Sequence, residues 1–285
     1  MNTFLRRALL TVGGVILATA VFGGVAVAGF TTTMAQDFAP LPARSSAEPA
    51  ATRPAASDRI QVAILLGRNG TVATDAMGPY GVFAASERFD VRTVAASRTP
   101  IALSGGLTTV PDASFADYES GRLPRPDLVV VPAIADPSGA EEADLRAFIE
   151  TTHDAGARIM GVCAGARVLV ETTGLDGKRA TSFWSDIDGM TSTHPETTWV
   201  RGERWVEDGD VLTTAGVSSG IAASLHVVQQ RAGTAEAVRI ADEVRYPHWS
   251  PDASTSIPVN TSRSRTTRMC SAPRCRGGSP ATASG

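Results

Sequence analysis

The stretch "RIMGVCAGARVLVE", residues 158–171, decides the fold, because an apolar run of strand length ends at Cys163 and a helical pattern follows. The small residues 164–166 allow a tight turn between these two elements. Cysteine is often buried as a small hydrophobe, so Cys163 is either a nucleophile at a strand-to-helix elbow or a core residue. Open parallel sheets bind ligands beyond the carboxyl ends of their strands, and this position makes Cys163 a candidate site residue.

Apolar strands and amphipathic helices alternate on both sides of this elbow. Continuous apolar runs of strand length are typical of a sheet that is buried on both faces. The predicted strands before the elbow are 60–66, 89–97 and 127–134, and the predicted helices are 75–88 and 139–156. A hairpin that turns at Asp208-Gly209 and two further helices follow the elbow. Short connections between alternating elements predict one α/β domain over residues 59–249, with a mostly parallel sheet and helices on both faces.

Composition restricts the classes of partner. The chain has 43% hydrophobic and 19% charged residues, which are globular values, and its net charge is −3. The body of the chain has no basic stripe, so we expect no nucleic-acid partner. Cys270 and Cys275 lack a histidine at ligand spacing, which argues against zinc and leaves a local disulfide open. We expect neither a metal nor a cofactor.

Residues 1–30 are predicted to lie outside the fold. Arg6 and Arg7 precede about 23 uncharged residues, enough to cross a hydrocarbon core. A cleaved signal peptide would use the small residues 26–28 as its cleavage site, whereas a single-pass anchor would explain the length of the apolar run. The arginines favour a cytoplasmic amino terminus, so both alternatives place the domain outside the cytoplasm, on the cell membrane or secreted.

Two polar segments flank the predicted domain. Residues 31–58 are rich in Pro, Ala and Ser and lack apolar periodicity, which predicts a disordered linker. Residues 250–285 carry five arginines against the single acid Asp252, and they predict a disordered basic tail.

Three stretches in order resemble the ThiJ/PfpI family of the class I glutamine amidotransferase-like superfamily. They are "DAMGPYGVF" (75–83), "VCAGARVLVETTGLDGKRATSFW" (162–184) and "DGDVLTTAGVSSGIAASLHVV" (208–228). The resemblance is to the subgroup with isonitrile hydratases and the sensor domains of AraC-type regulators. It implies a flavodoxin-like sandwich with a nucleophile elbow, a small-molecule substrate or ligand, and a possible homodimer.

The resemblance also implies roles for particular residues. Cys163 would be the nucleophile, activated by backbone N–H groups and the helix dipole, with the Ala164 N–H as an oxyanion donor. Asp75 corresponds to the acid of the family's first helix, which could hydrogen-bond the thiol or activate a water. The family's binding cavity maps here onto the residues Ala133, Ile134, Phe183, Trp184 and Gly216.

Departures from the family pattern put classical amidohydrolase chemistry in doubt. Phe183 stands where many relatives carry a histidine, and a phenyl ring takes no proton, which argues against peptidase activity. Ala133 and Ile134 replace a glycine pair and reduce its backbone freedom. Ala164 replaces a small hydroxyl residue, and Gly81 stands where relatives often carry a glutamate.

Alternative interpretations remain for these residues and for the function. Cys163 could be inert packing, Asp75 could simply cap its helix, and Phe183 and Trp184 could be ordinary core instead of a lid or wall. Three hypotheses follow. The protein is a cysteine-dependent hydratase or hydrolase of isonitrile-hydratase type, a non-catalytic ligand sensor, or a redox-responsive protein whose Cys163 becomes a sulfenic acid.

Overall fold

A computed structural model describes residues 58–246 without a gap, together with 55–56, 249–251, 255–257 and isolated helical residues between 13 and 25. Most of the predicted leader, linker and tail lies outside the described residues. Within the part that the structure describes, no helix is both long enough and apolar enough to span a membrane.

A seven-stranded sheet forms the centre of the domain. The strands of this sheet are β1 (Ile60–Leu65), β2 (Phe89–Ala95), β5 (Ala113–Ser114), β6 (Leu128–Val131), β7 (Arg158–Val162), β10 (Trp205–Asp208) and β11 (Val211–Thr214). Their order in the sheet is β10-β11-β7-β6-β1-β2-β5, and every neighbouring pair is parallel except the hairpin β10–β11. Two small pairs lie outside it, β3 (Ile101–Leu103) with β4 (Leu107–Thr109), and β8 (Arg179–Ala180) with β9 (Thr198–Trp199).

Helices cover both faces of the sheet, as the sequence predicts. The helices are α1 (Ala73–Ala84), α2 (Phe115–Glu119), α3 (Ala143–Asp154), α4 (Ala166–Thr172), α5 (Ile187–Thr193), α6 (Val217–Ala232) and α7 (Thr234–Glu243). Buried residues of α1, α6 and α7 join one core cluster, and those of α2, α3 and α4 join a second. Side chains of successive strand residues alternate between these two clusters, since Val62 and Ile64 belong to the first and Ala63 and Leu65 to the second. The predicted flavodoxin-like α/β sandwich is confirmed.

The described ends of the predicted linker and tail contact the domain. The Ala56 N–H donates to Asp90 Oδ2 at 3.1 Å, and Ala55 packs against the second core cluster. On the other side of the chain, the Ile257 N–H donates to the Gly202 carbonyl at 2.5 Å and the Arg204 N–H to the Thr255 carbonyl at 2.6 Å. The described residues 55–56 and 255–257 therefore make backbone contacts with the domain, and the domain boundaries stay a prediction.

The strand-to-helix elbow contains the predicted tight turn, shifted by one residue. The sequence predicts this turn over residues 164–166, whereas Cys163–Gly165 form a 3-10 turn and α4 begins at Ala166. The tighter turn brings the chain close to the end of β6. This packing positions Cys163 at the carboxyl edge of the sheet.

Candidate functional site

Cys163 lies in a strained turn directly after β7. Its φ of 59° is in the left-handed region that residues with a Cβ rarely adopt. Gly165 makes this turn possible, because a Cβ built there would lie 2.0 Å from the Val131 carbonyl oxygen. The Ser182 hydroxyl donates to the Cys163 carbonyl at 3.2 Å and holds the turn from the other side. Strain of this kind is concentrated at functional sites, which favours the nucleophile interpretation of Cys163.

The Asp75 carboxyl faces the Cys163 thiol. Asp75 is in the first turn of α1 and is fully buried, and its Oδ2 lies 3.4 Å from the Ala133 N–H, which donates to it. The thiol of Cys163 lies close enough to influence the pKa of this carboxyl, and Asp75 Oδ1 has no hydrogen-bond partner among the described residues. Asp75 makes no side-chain cap on its helix, because its oxygen bonds to a residue that follows β6. Asp75 is still an acid in the first turn of the helix, where a negative charge is favourable, so the helix-dipole part of the capping interpretation stays a prediction.

Burial raises the pKa of both members of this pair. The pKa of Asp75 is raised to about 6 because desolvation outweighs the hydrogen bonds from Ala133 and Cys163. Burial, and then the negative charge of Asp75, raise the pKa of Cys163 to about 12. At a pH between the pKa of Asp75 and that of Cys163, the carboxyl and the thiol together hold one proton. The expected net stabilisation of the thiolate by the elbow is wrong, since desolvation and the neighbouring carboxylate outweigh it.

The backbone N–H of Ala164 lowers the pKa of the Cys163 thiol, as predicted, but by less than burial and Asp75 raise it. This N–H points to the sulfur of Cys163. A donor in that place would also lie close to an oxyanion formed on a carbon that the sulfur attacks. The oxyanion role of Ala164 stays a prediction.

Phe183 and Trp184 lie in different environments. Phe183 is half-buried and packs against the first core cluster, to which Cys163 also belongs. The indole of Trp184 is 71% exposed, and its ring centroid is 5.7 Å from that of Phe183. Phe183 can therefore serve as a wall beside the elbow. Trp184 is not a core residue, and the lid role stays a prediction.

The other predicted binding residues contribute backbone rather than side chains. Ala133 offers its N–H to Asp75, as described above. The side chain of Ile134 belongs to the second core cluster, on the opposite face of the sheet from Cys163. Gly216 is the N-cap of α6 in extended conformation. One turn later, a Cβ on Gly220 would lie 2.9 Å from Val162 Cγ1, which places the start of α6 over the end of β7.

Two residues near the elbow were not found by sequence reasoning. Ser182 holds the elbow carbonyl, and the negative charge of Asp186 is a further cause of the raised pKa of Cys163. Asp186 Oδ1 accepts a hydrogen bond from Arg167 Nη2 at 2.8 Å. Ser182 lies within the quoted stretch 162–184 and Asp186 just after it, but their roles depend on contacts across 19 residues of chain that the sequence pattern does not show.

The described residues contain no group of three or more His, Cys, Asp or Glu side chains that could hold a metal ion.

A cavity of about 700 Å³ lies away from the elbow, between the ends of α1 and α6 and helix α7. Three arginines and three glutamates line it, and none of them belongs to the Cys163 site. At the elbow, a carboxyl and a thiol lie next to a backbone donor, an arrangement that can transfer a proton.

The fold and the elbow together define an α/β sandwich protein with a buried cysteine–carboxyl pair. The chain belongs to the DJ-1/PfpI family, whose family model matches residues 60–230. An isonitrile hydratase from Pseudomonas putida is 30% identical over 199 residues, which cover 67% of this chain and 83% of that enzyme.

One further relative and one solved structure are also similar to this chain. The HTH-type transcriptional regulator CdhR from Pseudomonas aeruginosa is 28% identical over 144 residues, which are 50% of this chain and 41% of the regulator. A crystal structure of a ThiJ/PfpI family protein from Pseudomonas syringae is 25% identical with a TM-score of 0.58. The match covers 75% of this chain and 84% of the chain in that crystal structure. The predicted family is confirmed.

Proposed function

We propose that this protein is a cysteine-dependent hydratase of small molecules, with isonitriles as the substrate class. The pairing of Asp75 with Cys163 in a buried, strained elbow carries the proposal. A pair that holds a single proton at neutral pH can deliver it to one atom and recover it from another. The similarity to an isonitrile hydratase names the substrate class.

Hydration of an isonitrile, R–N≡C, needs a proton, a nucleophile and a water. The terminal carbon takes the proton that Asp75 and Cys163 share, while the sulfur bonds to that carbon and forms a thioimidate, R–N=CH–S. Water then adds to the carbon as Asp75 accepts one of its protons, and Asp75 passes that proton to the nitrogen. Cleavage of the carbon–sulfur bond releases the formamide, R–NH–CHO, and the hydroxyl proton returns to the sulfur through Asp75.

The test is conversion of cyclohexyl isonitrile by the purified full chain. We expect formation of N-cyclohexylformamide, detected by mass spectrometry, and no formation above background with Cys163→Ser. The matched control is Ser185→Ala, an exposed serine near the elbow whose loss leaves the Asp75–Cys163 pair intact. Equal conversion by wild type and Cys163→Ser would rule out the proposed nucleophile.

A second candidate function is ligand sensing without turnover. Two observations favour it, namely the raised pKa of the Cys163 thiol and the phenyl ring of Phe183 beside the elbow. The similarity to part of a transcriptional regulator is consistent with such a role. A binding protein would retain an isonitrile or a related apolar ligand without forming product. The same raised pKa disfavours the redox hypothesis, because the thiolate is the form that oxidants attack.

We further infer that the domain lies outside the cytoplasm, because Arg6 and Arg7 precede the long uncharged stretch. Fractionation of cells that produce the full chain is expected to recover it with membranes or in the external medium. The protease accessibility of the domain in intact cells or spheroplasts checks the side of the membrane. Recovery of a protease-protected, soluble protein would contradict this inference. The homodimer stays a prediction.

A further inference from the structure

A buried carboxylate that the proposed reaction does not use lies behind the loop that leads into α1. Glu142 is the last residue of the 3-10 turn before α3 and is 1% exposed. Its Oε1 accepts the Asn69 N–H at 2.8 Å, and the Arg68 N–H also points to this carboxylate. A buried carboxylate is costly unless donors surround it, so these backbone groups tie the loop to Glu142.

The loop that Glu142 holds, residues 67–72, is closely packed. A Cβ on Gly67 would lie 2.3 Å from Ile134 Cγ2 and 2.9 Å from Glu142 Oε1, so the chain at Gly67 packs directly against both side chains. The Gly67 N–H donates to Thr71 Oγ1 at 2.9 Å and closes the loop on itself. A movement of Glu142 would therefore move the whole loop.

The far end of this loop sets the position of Asp75. The Ala135 N–H donates to the Gly70 carbonyl at 3.0 Å, and the Val72 N–H donates to the Ala133 carbonyl at 2.9 Å. Helix α1 starts at the next residue, and the Asp75 N–H donates back to the Val72 carbonyl at 3.1 Å. The bond from the Ala133 N–H to Asp75 Oδ2 is long, at 3.4 Å, so a small displacement of the loop would break it.

We propose that Glu142 is a positioning residue, which holds the Asp75 carboxyl against the Cys163 thiol by fixing the loop 67–72. The inference rests on the proposed function only in taking Asp75 and Cys163 as the two residues that carry out the reaction. Glu142 itself contacts neither the thiol nor a reacting atom. Its effect must therefore pass through Asp75.

A double-mutant cycle tests this dependence. The rate of alkylation of Cys163 by iodoacetamide at pH 8 is compared in wild type, Glu142→Gln, Asp75→Asn and the double variant, with mass spectrometry to identify the modified cysteine. Glutamine keeps the length of Glu142 and one acceptor oxygen, but its amide group cannot accept from the second loop N–H. We expect Glu142→Gln to accelerate alkylation about fivefold or more, because the thiol loses the carboxylate that suppresses its ionisation.

In the Asp75→Asn background the same change is expected to alter the rate less than about twofold. The matched control is Glu141→Gln, which removes the same charge from the neighbouring exposed residue and should leave the rate within about twofold of wild type. Equal acceleration in both backgrounds, or none beyond that of Glu141→Gln, would overturn the proposal. If Glu142→Gln fails to fold, Glu142→Asp carries the same cycle, because it keeps the charge and shortens the reach. Alkylation needs no substrate, so this result is independent of isonitrile turnover.

Discussion

Asp75→Asn is expected to stabilise the folded protein at pH 8 by about 3 kcal/mol and to abolish turnover. The pKa of Asp75 is raised from 3.8 to about 6 by burial, and a tenfold change in proton affinity corresponds to about 1.4 kcal/mol. A raised pKa in the folded state means that the ionised form of Asp75 lowers the stability of the folded protein relative to the protonated form. Its contribution to stability is thus fully present below about pH 4 and is lost as the pH rises through about 6.

Asparagine removes the ionisation and with it the pH dependence. The free energy of unfolding of Asp75→Asn, measured by urea denaturation, should exceed that of wild type at pH 8 and approach or fall below it at pH 4. Turnover at pH 8 should fall by about 100-fold or more, because the amide cannot shuttle the proton. Such a conflict between stability and function is common at active sites.

A second buried acid provides a control of opposite sign. Asp117 is 2% exposed, and although burial raises its pKa, hydrogen bonds from Ser114 and the charge of Arg122 lower it overall. Asp117→Asn should therefore destabilise the protein at pH 7, with a difference from wild type that shrinks as the pH falls towards 3. If Asp75→Asn behaved as Asp117→Asn does, the carboxyl of Asp75 would be a structural group and not a strained, functional one.

Gly165→Ala is expected to destabilise the protein by about 3 kcal/mol and to displace Cys163. The added methyl group would lie 2.0 Å from the Val131 carbonyl oxygen and 3.0 Å from that of Pro132. Both are backbone atoms of the chain leaving β6, so relief requires β6 and the elbow to move apart. Overpacking of this kind costs about 1–3 kcal/mol even where side chains can adjust, and here the backbone must.

The matched control is Gly189→Ala. Gly189 lies within α5, and a Cβ there would meet no atom within 4 Å. Alanine should stabilise this helix by about 0.5–1 kcal/mol. Urea denaturation of both variants measures the contrast, and the alkylation rate of Cys163 reports the displacement of the elbow. A Gly165→Ala protein as stable as wild type would mean that the elbow is not held in the close contact described.

The α/β architecture is determined by local patterns in the sequence. Continuous apolar runs of four to seven residues predict the central strands, and α3 follows from its acids in the first turn and its stop at Gly156. These signals are local because a strand buried on both faces must be apolar throughout. Strand β5 and helix α2 were not predicted, because they span two and five residues and their patterns are too short to register.

The family resemblance predicted the residues of the site better than their chemistry. Cys163 and Asp75 are 88 residues apart in the chain, and they meet because α1 begins beside β6 while Cys163 follows β7. The sequence shows a carboxyl and a thiol but not the extent of their burial. Desolvation by distant core residues determines the direction of both pKa shifts, and it reversed the expectation for Cys163.

The sequence by itself determined the class of fold and the elbow, because these depend on residue type and spacing, and the resemblance to the ThiJ/PfpI family pointed to Asp75 and Cys163. Tertiary structure alone decided that Asp75 bonds to Ala133 instead of capping its helix, that Trp184 is exposed, and that Glu142 lies beneath the loop before α1. These features depend on burial and on contacts between residues far apart in the chain. Neither burial nor contacts between distant residues produce a periodic pattern in the sequence.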